Sequence, residues 1–280
     1  EWADPDDKPE PKISSTLRSG LKADKHFTAA HDVGRKLRAL RRRKPPPKGP
    51  EEPDEIKSCP PRIGLCSGCG SDLINGYHLL CLKCHHHLSE TGFASLAHNP
   101  VEKILWGRLD FGSATSQYYF TKDALLQRLI HQFKYKDNRE LAYYFGTLMG
   151  ETLQASLRFR MPDLIVPLPL FPDKEYKRGY NQSALLCEGI AHVLQVPVSY
   201  NTVLRTRYTT TQTHKTRMER WQNVEGVFTC AANTTFRQKK ILLVDDVITT
   251  GATIEACGNA ILEDIPDAQL NIATLAYATG

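Results

Sequence analysis

The residue order predicts an α/β protein: a parallel sheet with helices on both faces, preceded by a small four-cysteine metal module. Three observations carry this. Apolar runs of strand length recur at Leu164-Ile165-Val166, Ile241-Leu242-Leu243-Val244 and Leu270 to Tyr277. Helical patterns lie between them, over Ser183 to Leu194 and Thr253 to Leu262, and strands apolar on both faces belong to a sheet covered on two sides. Ahead of them, Cys66-Ser67-Gly68-Cys69 and Cys81-Leu82-Lys83-Cys84 form two Cys-x-x-Cys knuckles eleven residues apart.

Taken in chain order, residues 1–62 read as a charged, Pro-rich extension, with Lys44-Pro45-Pro46-Pro47-Lys48-Gly49-Pro50 as a stiff linker and one candidate helix near Asp24 to Arg43. Apolar residues are too sparse there to offset the entropy of ordering a packed domain, so poor order is expected. From Arg35 to Lys48 there are eight Lys/Arg and no acid, a block that suits either a solvated stretch or a nucleic-acid contact. The chain opens without a methionine, as a processed or truncated chain would.

Residues 63–95 form the metal module. Its spacing is that of a structural Zn2+ ribbon, with Cys66, Cys69, Cys81 and Cys84 as a complete tetrahedral thiolate set that leaves no position for catalysis. Gly68 and Gly70 let the backbone turn its amides toward the sulfurs. His85-His86-His87 could compete as ligands, and paired redox cysteines are the alternative chemistry. Cys187, Cys230 and Cys257 read as reduced, partly buried thiols and Cys59 as an exposed spare.

Residues 96–280 carry the globular pattern. Asp123 is expected to cap a helix in which Leu125, Leu126, Leu129, Ile130 and Phe133 share a face, with a second helix over Leu141 to Leu157. The decisive stretch is Ile241 to Thr253, an apolar strand, then Asp245-Asp246, then Val247-Ile248-Thr249-Thr250-Gly251-Ala252-Thr253 opening a helix. Open parallel sheets bind ligands in such a crevice. Gly251 allows close backbone approach, the threonines offer hydroxyls, and helix-start amides face an anion. Adjacent carboxylates repel a phosphate but suit ribose hydroxyls, or a Mg2+ held through water. The bland reading is a polar loop with Thr249 as a cap. No Gly-Lys-Ser/Thr is present, which excludes a Walker loop.

These residues resemble the phosphoribosyl-diphosphate (PRPP) signature of type I phosphoribosyltransferases. Together with Val166-Pro167-Leu168-Pro169, Lys177-Arg178-Gly179-Tyr180-Asn181-Gln182-Ser183, Thr211-Gln212-Thr213 and Arg217 to Val224, they resemble the ComF family of competence proteins over about Cys66 to Gly280. The resemblance implies a sheet of type I phosphoribosyltransferase-like topology, and it too places a zinc ribbon at the four cysteines. In it Asp245 and Asp246 take the ribose hydroxyls, and Thr249, Thr250, Gly251, Ala252 and Thr253 take the 5'-phosphate. The turn near Pro167 to Leu170, with Pro167 and Leu168 as its binding residues, would face the diphosphate, and Arg178 can reach it. Arg205 to Asn223 would close over the centre, with Lys215 and Arg217 among the cations stabilising a leaving diphosphate.

Three functions fit this reading. One is a ComF-like protein with Zn2+ and PRPP that assists uptake of single-stranded DNA in transformation, with Tyr77, Tyr208 and Trp221 as stacking platforms. A second is a true phosphoribosyltransferase with Mg2+ on the leaving group, although no segment reads as a dedicated nucleobase pocket. A third is a PRPP sensor docking a DNA-translocating ATPase. The net charge of +5 permits phosphate contact without requiring it. No run of eighteen apolar residues and no basic, apolar start is present, so membrane insertion and a signal peptide are not expected, and a cytoplasmic site is.

Overall fold

The computed structural model describes residues 64–73, 79–121, 124–159, 161–206, 227–230 and 239–278. The expectations for residues 1–62, and those for Asp123, Tyr77, Tyr208, Lys215, Arg217 and Trp221, lie outside the described residues. The metal module and the sheet both fall within one compact unit, Ser58–Gly280.

The module opens with β1 (Gly64–Leu65) paired antiparallel to β2 (Asp72–Leu73) and closes on α1 (Leu82–His86). A 3-10 turn at Phe93–Ser95 and helix α2 (Pro100–Leu105) lead into β3 (Ala114–Phe120). Helices α3 (Leu125–Tyr135) and α4 (Arg139–Ala155) then reach β4 (Leu164–Pro167), followed by α5 (Pro172–Arg178) and α6 (Gln182–Leu194). Strands β5 (Val203–Arg205) and β6 (Phe228–Cys230) pair antiparallel. The chain ends in β7 (Lys240–Ile248), α7 (Ala252–Asp264) and β8 (Gln269–Ala278).

Four strands form the central sheet in the order β3-β8-β7-β4, and every neighbouring pair is parallel. Helices on both faces bury it, as the apolar runs predict. Leu242 and Val244 of β7 join the cluster formed with α3, α4 and α6, whereas Ile241 and Leu243 join the cluster formed with α2 and α7. This alternation along one strand is the period-2 signature of a two-sided sheet.

Local chemistry explains the elements. Helix α2 starts because Asn99 Oδ1 accepts from the Val101 and Glu102 amides and Pro100 occupies the first turn. The buried face of α3 is Leu126, Leu129, Ile130 and Phe133, as the spacing predicts. The residue at its cap position is Ala124, which offers no side-chain hydrogen bond. Helices α4 and α6 meet backbone to backbone at Gly146 and Gly189, where an added Cβ would overlap Leu186 O and Tyr143 O respectively. The start of α6 meets β7 where Ser183 Oγ donates to Asp245 Oδ1. Among the described residues no helix is long and apolar enough to cross a membrane.

The strand ladder corrects one expectation. The acidic pair does not follow β7 but lies within it, because pairing with β8 continues from Asp245↔Thr274 to Ile248↔Tyr277. The backbone of both carboxylate residues is therefore fixed by the sheet rather than by a loop.

Candidate functional site

The crevice is assembled from the ends of β4 and β7 and the starts of α6 and α7. Asp245 Oδ1 accepts from the Asp246 amide at 2.8 Å and from Ser183 Oγ at 3.2 Å. Ser183 is placed by the capping of α6: Asn181 Oδ1 accepts from the Ser183 amide at 2.9 Å, and Asn181 Nδ2 donates to Leu168 O at 3.0 Å. One asparagine thus stitches the end of β4 to the helix that holds Asp245.

Asp246 Oδ2 meets Lys134 Nζ at 2.7 Å, with side chains only 14% and 10% exposed. Sequence reasoning missed Lys134. It sits in the last turn of α3, where a lysine is ordinarily explained by the helix dipole, and nothing local links it to the acidic pair. Burial and the neighbouring Asp246 charge push the Asp245 carboxyl up to about 7, against the opposing pull of the Asp246 amide, Lys134 and Ser183. Crowding a second carboxylate beside it and away from water favours the protonated form of Asp245.

The expected anion loop follows directly. Thr249, Thr250 and Thr253 are exposed, while Gly251 is buried at φ 74°. A Cβ at Gly251 would lie 2.8 Å from Ile104 Cγ2 and 2.9 Å from Leu105 Cδ2, so α2 forms the floor of the loop. Arg108 braces it: Nη1 donates to Thr250 O at 2.8 Å, and the guanidinium pairs with Glu255 in the first turn of α7. Ala252 opens α7, with Gly251 as its cap.

The other sequence-derived residues divide. Pro167 closes β4 and Leu168 is buried in the cluster of the α2 face, with its amide donating to Val244 O at 2.8 Å. Pro167 has no N–H, so neither residue brings a spare backbone donor to an anion. Arg178 ends α5, stacks on Tyr135 at 5.2 Å and donates to Gln182 Oε1 at 3.2 Å. It therefore contacts the residue that precedes Ser183 in α6. Gln182 Nε2 is buried without a hydrogen-bond partner. Strands β5 and β6 bracket residues 207–226, the stretch that contains Lys215 and Arg217, and Arg205 lies over Phe228 at 5.5 Å.

The four module cysteines converge as the spacing predicts. Their sulfurs all lie within 4.8 Å of one another, none is in a disulfide, and Cys69 Sγ and Cys81 Sγ are 3.6 Å apart. A tetrahedral zinc with sulfurs at about 2.3 Å needs S–S separations of roughly 3.8 Å, so the set fits that ion. The Cys81 amide donates to Cys66 Sγ at 3.2 Å, and a Cβ at Gly68 would stand 2.7 Å from Cys84 Sγ. The hydroxyl and backbone of Ser71, with Cys81 and Cys66, draw the Cys69 thiol down to about 6. Among the described residues no histidine joins the cluster. Cys187, Cys230 and Cys257 are buried, and burial raises each thiol; Cys59 lies outside the described residues.

The chain is similar in sequence to several curated proteins. Competence protein F of Haemophilus influenzae is 29% identical over 194 residues, 68% of this chain and 81% of that protein. The curated relatives, competence proteins F and ComFC and the DNA utilization protein YhgH, support a ComF-family protein. The DNA utilization protein YhgH of Salmonella typhimurium is 34% identical over 142 residues, and competence protein ComFC of Bacillus subtilis is 28% identical over 159. The matches to these two relatives span somewhat under two thirds of their length, 62% and 61%. No family model matches the chain. Among solved structures, adenine phosphoribosyltransferase from Leishmania tarentolae gives a TM-score of 0.35 at 14% identity, covering 68% of this chain and 94% of that one. A likeness at that level carries no argument, and the fold assignment rests on the strand order.

Two outcomes follow from the site. Replacing Cys81 and Cys84 by Ser is expected to abolish stoichiometric zinc in the purified protein and lower its thermal midpoint; unchanged metal content by atomic emission contradicts the four-thiolate assignment. For Asp245, a folded value near 7 above an ordinary 3.8 favours the folded state below the unfolded value, and that contribution is lost as pH rises through the folded one. Asp245→Asn should therefore gain urea resistance over the parent protein as pH rises from about 4 to 7, hold that gain above about pH 7 and converge with the parent below about pH 4. Parallel profiles contradict the burial argument.

Proposed function

We propose that this ComF-family protein binds PRPP in the crevice of Asp245 to Thr253 and assists the uptake of single-stranded DNA in natural transformation, with Zn2+ held by Cys66, Cys69, Cys81 and Cys84. The observation that carries the reading is the juxtaposition of a partly buried carboxylate pair with a braced Thr/Gly loop at the start of α7. A ligand with two adjacent hydroxyls and a phosphate a few ångströms away satisfies both halves, and few other metabolites do. The names of the relatives, competence and DNA utilization proteins, support the physiology.

On this reading the outer oxygens of Asp245 and Asp246 accept from the ribose 2' and 3' hydroxyls. Thr249, Thr250 and Thr253 with the amides around Gly251 and Ala252 hold the 5'-phosphate. Arg178 faces the diphosphate, which carries Mg2+, and Lys215 and Arg217 close over it from the segment between β5 and β6. Pro167 and Leu168 shape the base of the crevice. Transfer of the phosphoribosyl group to a nitrogen acceptor would use the same parts: a C–N bond forms at the anomeric carbon, and diphosphate leaves with the C–O bonding pair. A non-catalytic sensor that docks a DNA-translocating ATPase would use them without turnover. A cytoplasmic location accords with all three.

Diphosphate release separates these readings. With zinc-loaded protein, PRPP, Mg2+ and a mixture of nucleobases, no diphosphate should appear, and fluorescently labelled single-stranded DNA should bind. Release that depends on one base instead makes the protein a phosphoribosyltransferase; absence of DNA binding contradicts the DNA-handling role.

A further inference from the structure

We propose that Lys134 is a ligand-site residue, the cation that makes the carboxylate pair compatible with a polyanionic sugar phosphate. The inference rests on the PRPP reading of the crevice and adds the residue that sets which charge the crevice accepts.

Two carboxylates beside a phosphate loop pose an electrostatic problem. They suit ribose hydroxyls, yet they repel the phosphates on either side of the ribose, and in a poorly solvated crevice that repulsion is weakly screened. Lys134 supplies the compensating charge from a fixed position. Every residue of the last turn of α3 makes a tertiary contact. Gln132 Nε2 donates to Ser67 O at 2.8 Å, Phe133 O accepts from Tyr180 Oη, Lys134 pairs with Asp246 at 2.7 Å, and Tyr135 Oη accepts from Arg178 at 3.4 Å. A lysine serving only the helix dipole would be solvated, whereas this side chain is 10% exposed. The ammonium takes Oδ2 of Asp246, and a carboxylate has capacity to accept from a ribose hydroxyl as well. Ligand binding therefore need not break the pair, and Lys134 offsets the ligand charge while Asp246 reads the sugar.

The test uses full-length zinc-loaded protein and two ligands of different charge, PRPP and ribose 5-phosphate, titrated calorimetrically with Mg2+ into the parent and into Lys134→Gln, Lys134→Met and Lys134→Arg. Both neutral variants should lose PRPP affinity by roughly tenfold or more. Their loss for ribose 5-phosphate should be several-fold smaller, and Lys134→Arg should stay near the parent. Met keeps the aliphatic packing, so one neutral variant remains if Gln disturbs the fold. An equal loss for both ligands assigns Lys134 a structural role and overturns the inference, as does an unchanged PRPP affinity. Failure of the parent protein to bind PRPP overturns the reading beneath it and is seen before any variant is made.

Discussion

Two carboxylates sit side by side on a strand whose backbone cannot move away from them, and the rest of the molecule is arranged around keeping them there. The ladder between β7 and β8 extends through Asp245 and beyond it. Their mutual repulsion can only be relieved by partners or by a proton. Ser183 and the Asp246 amide supply partners to Asp245, Lys134 supplies one to Asp246, and the rise of the Asp245 carboxyl to about 7 supplies the proton for part of the physiological range. Removing one partner of this partly buried ion pair would leave the other charge poorly solvated and uncompensated, which is destabilising. A strand end that tolerates such an arrangement is more readily understood as a site than as a scaffold.

The partners come from two helices with different anchors. Helix α6 is set by its close glycine contact with α4 and by Asn181, which ties its start to β4. Helix α3 is set by the metal module. Leu125 packs where a side chain at Gly68 would have to go, and Gln132 holds the carbonyl of Ser67, between the first two cysteines. Cys66, Leu73, Leu80 and Cys84 share one apolar cluster with Leu126, Leu129 and Phe133 of that helix. The ribbon is thus a buttress for the element that delivers Lys134 to the crevice and Tyr135 to Arg178. A four-thiolate ion would contribute to the crevice through that helix while remaining closed to chemistry itself.

Much of this was legible in the residue order, for identifiable reasons. The four cysteines and the stretch from Ile241 to Thr253 are contiguous or regularly spaced, so their chemistry is visible without a fold. The core strands of β4, β7 and β8 are apolar on both faces and declare themselves. Strand β3 does not, because Thr115, Ser116 and Gln117 are polar and yet buried. The acidic pair was placed after its strand because the apolar run stops at Val244, whereas the ladder is kept by backbone bonds that do not depend on side-chain polarity. Lys134, Ser183 and Arg108 were invisible as partners, since each reaches the site from a distant part of the chain and each has an ordinary local explanation. Pro167 and Leu168 stand out by the motif they share, but Pro167 has no N–H and the Leu168 amide and carbonyl are already bonded to Val244 and Asn181.

The central claim is that Asp245 and Asp246 receive the hydroxyls of a sugar phosphate, and its most direct test is a calorimetric titration of PRPP with Mg2+ into the parent protein and into the Asp245→Asn, Asp246→Asn double variant. The account predicts saturable binding to the parent and none to the variant, with both proteins folded by their melting curves. Binding of equal strength to a folded variant would contradict it.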